Sequence, residues 1–313
     1  MTASATGTPI FVGVETSSYS GATLLAFLLN AHPSITSIGE LNGLIPSEDP
    51  ESYLCSCGKK IKDCDFWQSV SCEMKRRGFE FNVADFRTAF RLSGQVWLQR
   101  LRAGSFRNAK LDAIRDWLLQ KLPQERRQFK ALAARNLALI ESILMLTGKR
   151  VFVDTSKDHL RVRALQMFSP YDVRVIHLVR DPRGVVASRL RRGVPIDAEQ
   201  AARQWVRLHM RLQNLHGNSL ADKYIRIRYE DLCQNPRAVL KQLYTFCGVD
   251  SDFEIADWQA MPHHIVGNVM RLANVDAIKL DERWRSLLTE TQKKDIWQIA
   301  GRLSEQYGYC AQA

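Results

Sequence analysis

Short apolar runs alternate with longer segments of helical periodicity along the chain. Residues 10–14 (IFVGV), 151–154 (VFVD) and 173–179 (VRVIHLV) predict buried strands. Residues 224–229 (YIRIRY) alternate apolar with polar and predict a strand nearer a sheet edge. Between them, residues 21–30 predict a helix, and Trp205, Leu208, Leu212 and Leu215 share one helical face. The last helix is predicted to begin near Thr289, with Gln292 as its capping-box partner. Strands alternating with helices predict an α/β fold, a parallel sheet flanked by helices. Residues 82–148 contain no strand pattern. Leu111, Ile114 and Leu118 line one helical face there, Pro123 ends that segment, and a longer helix over 129–146 closes at Gly148. The expectation is one domain, 1–313, with a helical insertion at 82–148 that packs over the sheet's ligand-binding edge.

Two strand ends carry the candidate chemistry. The stretch VGVETSSYSGATLLAFLLNAHP (12–33) runs from strand through a loop of small residues to a helix N-terminus, where N–H groups and the helix dipole favour an anion. Gly21 permits close approach, and Ser20 and Thr23 offer hydroxyls. Ala22 stands where an ATP-binding loop has its lysine, which argues against a kinase or ATPase. A plain serine-rich turn also fits these residues. In HLVRDPRGVVASRL, Arg180 ends a strand, Asp181 and Pro182 suit a helix start, and Ser188 lies two turns in. A strand-end arginine faces the crevice where α/β sheets bind ligands. Arg183, Arg189, Arg191 and Arg192 read as surface charges.

Composition narrows the partners. The 313 residues are 45% apolar, with a net charge of +11 and a pI near 9.4, which favours an anionic ligand. The basic residues are dispersed without an aromatic platform, so nucleic acid is not expected. No apolar run is long enough to span a bilayer. The opening MTASATGTP lacks signal-peptide features, so the expected location is cytoplasmic, with reduced cysteines. Cys55, Cys57, Cys64 and Cys72 cluster, but their C-x-C spacing is off the paired pattern of zinc sites. A metal, a disulfide and free thiols all stay open; free thiols, with no metal, is the reading carried forward.

The Arg180/Ser188 pair is similar to the 3′-phosphate motif of sulfotransferases that use 3′-phosphoadenosine 5′-phosphosulfate (PAPS), and Tyr19–Leu25 resembles their R-S-G-T-T-L-L loop. AHPSITSIGEL (31–41), CSCGKKIKDCDFW (55–67), VDTSKDHLRVRAL (153–165), RYEDL (228–232), HIVGNVMR (264–271) and DERWR (281–285) resemble bacterial members of the family, in order and spacing. The resemblance implies a P-loop-like sheet with PAPS across its C-terminal edge. Ser18, Tyr19, Ser20, Gly21, Ala22, Thr23 and Leu24 would hold the 5′-phosphosulfate end. Arg180 and Ser188 would hold the 3′-phosphate, with Tyr229, Gly267, Asn268 and Arg271 as further contacts. Glu40 is the implied general base, with His32 and His159 as competitors. Lys157 would stabilise the transferred group, while Asp154 and Ser156 orient it or bond the acceptor. The family usually has arginine or lysine where Tyr19 stands, so Lys157 and Arg271 are expected to compensate. The acceptor is expected to be a small molecule, glycan or lipid bearing a hydroxyl, less readily an amine. Phe66, Trp67, Phe86 and Trp97 are candidates to line its pocket. A catalytically silent binder of PAPS or its product is the alternative, ahead of a P-loop kinase.

Overall fold

The four strand patterns become β1 (Ile10–Glu15), β3 (Val151–Asp154), β4 (Asp172–Val179) and β5 (Tyr224–Arg228) of one parallel sheet, and β2 (Ile35–Ser37) joins them as a fifth strand that the pattern did not predict, in the order β2-β3-β1-β4-β5. The computed structural model describes residues 8–44, 48–90, 96–103, 109–216, 222–255, 258, 263–272 and 277–311. Central β1 is buried along its whole length, which requires an unbroken apolar run. Edge strand β5 buries only Ile227 fully and keeps its alternation. Ile10 pairs with both Val151 and Asp172. The strands therefore run in step and deliver their C-terminal loops to one edge.

The connecting helices are α1 (Ala22–Asn30), α2 (Asp65–Arg76), α3 (Val96–Ala103), α4 (Ala109–Lys121), α5 (Pro123–Thr147), α6 (His159–Phe168), α7 (Pro182–Arg191) and α8 (Ala198–His216). After β5 come α9 (Tyr229–Gln234), α10 (Pro236–Phe246), α11 (Trp284–Leu287) and α12 (Glu290–Gln306). Val12 and Val14 pack with Leu25, Leu28 and Leu243 on one face of the sheet. Phe11 and Phe152 pack with Leu139, Ile143 and Val162 on the other. The sheet is thus covered on both faces, as the pattern predicts. Thr289 caps α12 with Gln292 in a full capping box.

In the insertion, α5 starts earlier than its periodicity suggests. Pro123 does not only end the preceding segment; it opens α5, where its missing N–H costs nothing. Gly148 closes that helix at φ 66. The face of Leu111, Ile114 and Leu118 is helical but exposed. Among the described residues, none from 82–148 lines the cleft described below.

Candidate functional site

The loop after β1 is fixed by its own hydroxyls. Thr16 Oγ1 donates to Leu178 O (2.6 Å), and the hydroxyls of Ser17 and Ser20 bond each other at 2.6 Å. Tyr19 takes a left-handed conformation (φ 68), and Gly21 (φ 90) is the N-cap of α1 without any side-chain cap. The first-turn N–H groups of α1 are thereby left for another acceptor. A Cβ on Gly21 would lie 2.4 Å from the Tyr229 ring, so only glycine fits this cradle.

Arg180 ends β4 beside the loop. Asp181 caps α7 through Arg183 N–H (2.8 Å), and the helix brings Ser188 back towards the strand end. Arg180 Nη1 donates to Tyr19 O (2.8 Å) and Ser188 Oγ (3.4 Å), while its guanidinium lies 4.6 Å over the Tyr229 ring. Nη2 donates to Asp281 O (2.9 Å) and faces the Asp281 carboxylate at 3.3 Å. A hydrogen bond from Arg283 and the charge of Arg180 hold the Asp281 carboxyl below the usual range, against the effect of burial.

The other side of the cleft is assembled from distant segments. Asp154, at the end of β3, accepts from Leu41 N (3.1 Å) and from Ser156 N and Oγ (3.0 and 2.6 Å). Its second oxygen accepts from Arg161 at 2.8 Å. Arg161 is fully buried and also donates to Asn136 Oδ1 (2.8 Å) and Asn42 Oδ1 (2.6 Å). This network locks the chain after Glu40 to the chain before Lys157. Lys157, itself at φ 63, donates from Nζ to Glu40 Oε1 at 2.7 Å. The two side chains form an ion pair at the cleft wall, 21% and 25% exposed.

The segment 263–272 straps this side. Val266 N–H donates to Ile38 O (2.8 Å) and Val266 O accepts from Glu40 N–H (3.4 Å). Gly39 (φ 78) makes this possible, since a Cβ there would strike Val266 O at 2.4 Å. Gly267 and Asn268 reach the cleft. Arg271 does not: its guanidinium donates to Leu54 O (3.0 Å) and Gly267 O (2.5 Å) and lies 3.9 Å over the Tyr53 ring. The expectation that Arg271 compensates for Tyr19 is therefore corrected, because its guanidinium is held against Leu54, Gly267 and the Tyr53 ring, outside the cleft lining.

A cleft of about 720 Å³ joins these parts, lined by Ser18, Tyr19, Gly21, Ala22, Thr23, Glu40, Lys157, Arg180, Ser188, Tyr229, Gly267 and Asn268. Ser20 and Leu24 are buried beneath the loop and do not line it. The sequence reading missed Glu48, Arg191, Arg192, Lys279, Asp281 and Arg283, which also line the cleft. Arg191 and Arg192 had read as surface charges. Arg183 is no surface charge either: it is buried, paired with Asp181 at 2.6 Å and stacked 4.2 Å from the Trp284 ring. His32 lies between Tyr244 and Phe253, and its ring bonds Ser34 N–H and Asp250 O, away from the cleft. His159 pairs with Arg211 and does not line the cleft. Trp67 and Phe86 are core, Phe66 stacks on His264, and Trp97 is exposed, so none lines the cleft.

Lysine or arginine occupies six lining positions and a carboxylate three, which suits a polyanionic ligand. The uncapped N-terminus of α1 and the Arg180–Ser188 pair are two separate places for phosphate-like groups.

Comparison with known proteins gives the family and the fold. Residues 9–254 match the model of the sulfotransferase family. Mouse carbohydrate sulfotransferase 5 is 27% identical over 165 residues, 44% of this chain and 42% of that protein. Human carbohydrate sulfotransferase 1 is 32% identical over 118 residues, 31% of this chain and 28% of that protein. The matches thus span less than half the length of these curated relatives. In fold, the sulfotransferase domain from the curacin biosynthetic pathway superposes with a TM-score of 0.52 at 18% identity, over 95% of this chain and 98% of that one. The sulfotransferase domain of the Synechococcus PCC 7002 olefin synthase gives 0.52 at 21% identity, over 96% and 95%. The chain belongs to the sulfotransferase family.

Proposed function

We propose that the protein moves a sulfuryl group from PAPS to a hydroxyl, less readily an amine, of its acceptor. The observation that carries this reading is the Glu40–Lys157 pair in a cleft that also holds the α1 N-terminus and Arg180–Ser188. PAPS supplies an activated sulfonate on a phosphate leaving group. The loop 18–23 and α1 bind its 5′ end by N–H and hydroxyl donors. Arg180 and Ser188 bind the 3′-phosphate, with Arg180 giving up contacts to Asp281 for a stronger charge-assisted pair.

Lys157 then serves two partners in turn. Its Nζ bonds Glu40 at 2.7 Å before the donor arrives. Drawn to the sulfonate, it stabilises charge on the transferred group and leaves Glu40 Oε1 free to accept the acceptor's proton. The catalytic residues are Glu40 and Lys157; Asp154 and Arg161 position them. The carbohydrate sulfotransferase relatives favour a glycan hydroxyl over a small metabolite or lipid.

Incubating the protein with PAPS and a panel of glycans, and measuring release of 3′,5′-adenosine bisphosphate, tests the reading. Product formation that depends on acceptor supports it. Binding of both nucleotides without turnover on any acceptor supports the competing reading, a silent binder. Tyr19 favours that alternative, since it brings no charge to the loop and its carbonyl is held by Arg180. Failure of both nucleotides to bind defeats both.

A further inference from the structure

Away from the transfer chemistry, a small hairpin carries cysteines against the strap. Leu54 and Lys60 bridge antiparallel, Cys55 N–H donates to Lys59 O at 2.9 Å, and Gly58 (φ 85) turns the tip. Cys55 and Cys57 leave from this tip, and Cys64 precedes α2. His264 arrives from the strap, its ring stacked 4.3 Å from Phe66. The neighbouring Ile265 N–H donates to Ser56 Oγ at 2.8 Å, which fixes the strap to the hairpin.

The four side chains converge on one point. Cys64 Sγ is 3.4 Å and Cys55 Sγ 3.7 Å from His264 Nδ1, and Cys57 Sγ is 3.7 Å from Cys64 Sγ. All four ligand atoms lie within 4.8 Å of one another. A tetrahedral zinc ion, with bonds of about 2.3 Å to sulfur and about 2.0 Å to nitrogen, sets its sulfurs about 3.8 Å apart and sulfur from nitrogen about 3.5 Å. The three separations in the cluster are close to these edges. They are far from the ~2.05 Å of a sulfur–sulfur bond.

We propose that Cys55, Cys57, Cys64 and His264 bind a structural Zn²⁺ that clips the strap 263–272 to the cysteine hairpin. Three sulfurs and an imidazole form a soft donor set, suited to zinc and unsuited to Mg²⁺ or Ca²⁺. Four protein ligands close the coordination shell, so the ion has no open position for catalysis. Loading releases the three thiol protons to solvent, and neutral His264 binds through Nδ1 with its proton on Nε2. The site escaped the sequence reading because its fourth ligand stands 200 positions from Cys64. The C-x-C spacing by itself pointed away from metal. The clip bears on the cleft because Gly267 and Asn268, which line it, stand three and four residues after His264 in the strap.

The test is metal content of the full chain, purified without a metal-affinity tag under reducing conditions. Elemental analysis is expected to find about one zinc per chain. Cys64→Ser and His264→Gln should lose most of it, whereas Cys72→Ser, an exposed cysteine outside the four, should keep it. Should the first two variants fail to fold, wild-type protein stripped by chelator and titrated with Co²⁺ gives the answer. A tetrahedral thiolate site then shows intense visible and near-ultraviolet bands. Zinc or cobalt uptake far below one per chain overturns the proposal, as does iron in place of zinc or a Cys57–Cys64 disulfide in the unreduced protein. Chelation should also lower the melting temperature by several degrees and weaken binding of 3′,5′-adenosine bisphosphate. That last arm rests on the proposed function: stoichiometric zinc with unchanged nucleotide affinity keeps the metal site and removes its link to the cleft.

Discussion

On one side of the cleft, residues 16–23 and 180–188 each leave a strand, turn once and enter a helix. On the other, Glu40, Lys157 and the strap around Gly267 come from three distant parts of the chain and meet only after folding. The first side is a local device, because strand, loop and helix start within a few residues fix where the N–H groups and Arg180 go. The second side is held by long-range bonds: Asp154 to Leu41, Arg161 to Asn42, Val266 to Ile38. The difference predicts a division of labour, with binding on the local side and turnover on the assembled side.

The sharpest way to break that division is Glu40→Gln. The amide keeps the shape but cannot take a proton, so turnover should fall ~10²–10⁴-fold. Affinity for 3′,5′-adenosine bisphosphate, measured by calorimetry, should stay within a factor of a few. Turnover close to wild type would remove Glu40 from its role and leave the assembled side without a base. Arg180→Ala should act the other way, weakening nucleotide binding ~10–100-fold through lost charged hydrogen bonds. The rate at saturating donor should change much less. A collapse in saturated rate with unchanged affinity would reverse the assignment of the two sides.

A smaller effect tests the cradle itself. Gly21→Ala puts a Cβ 2.4 Å from the Tyr229 ring at φ 90, so the loop or the ring must move. Backbone strain of this kind costs about 1–3 kcal/mol. Nucleotide affinity should drop several-fold together with the melting temperature. Gly193→Ala, at φ 66 with open space around it, separates backbone strain from the clash. Equal nucleotide affinities in the two variants would show that the Tyr229 contact contributes nothing to the cradle.

The same contrast governs what could be read from the chain. Strands β1, β3, β4 and β5, the α1 N-terminus, the Arg180–Ser188 turn and the Thr289 capping box are contiguous patterns, and each stands where periodicity and capping chemistry put it, whereas three-residue β2 is too short to show a period. Glu40 and Lys157 were legible only through family resemblance, and their bond to each other was not legible at all. Arg271 misled because its place in the strap says nothing of where a long side chain turns. Buried Arg161 and Arg183 gave no usable signal, and the clustered cysteines gave none of His264, since charge and spacing report neither burial nor a partner far along the chain. Arg191 and Arg192 are exposed, as surface charges are, and what the sequence did not show is that the end of α7 also borders the cleft.

The gentlest probe lies under the local side. Glu15 ends β1, is buried, and its Oε1 has no hydrogen-bond partner among the described residues. Burial, with help from the carboxylates of Asp158 and Asp154 and against Arg211 and Arg161, pushes its carboxyl up to about 8. The folded protein therefore holds this proton where the unfolded chain, with an ordinary carboxyl, has released it. Between about 4.5 and 8 the folded state binds more protons, so this group makes stability fall as pH rises through that window. Glu15→Gln removes the ionisation while keeping the shape. The variant should match wild type near pH 5 and exceed it by several degrees in melting temperature near pH 8. Equal pH slopes for the two proteins would mean that the carboxyl ionises without penalty and that the floor of the loop is wetter than its burial indicates. Unequal slopes with unchanged nucleotide affinity near pH 9, where the wild-type carboxyl is charged, would show that the loop's anion-binding geometry is set by its own hydroxyls and by Gly21, independently of the charge beneath it.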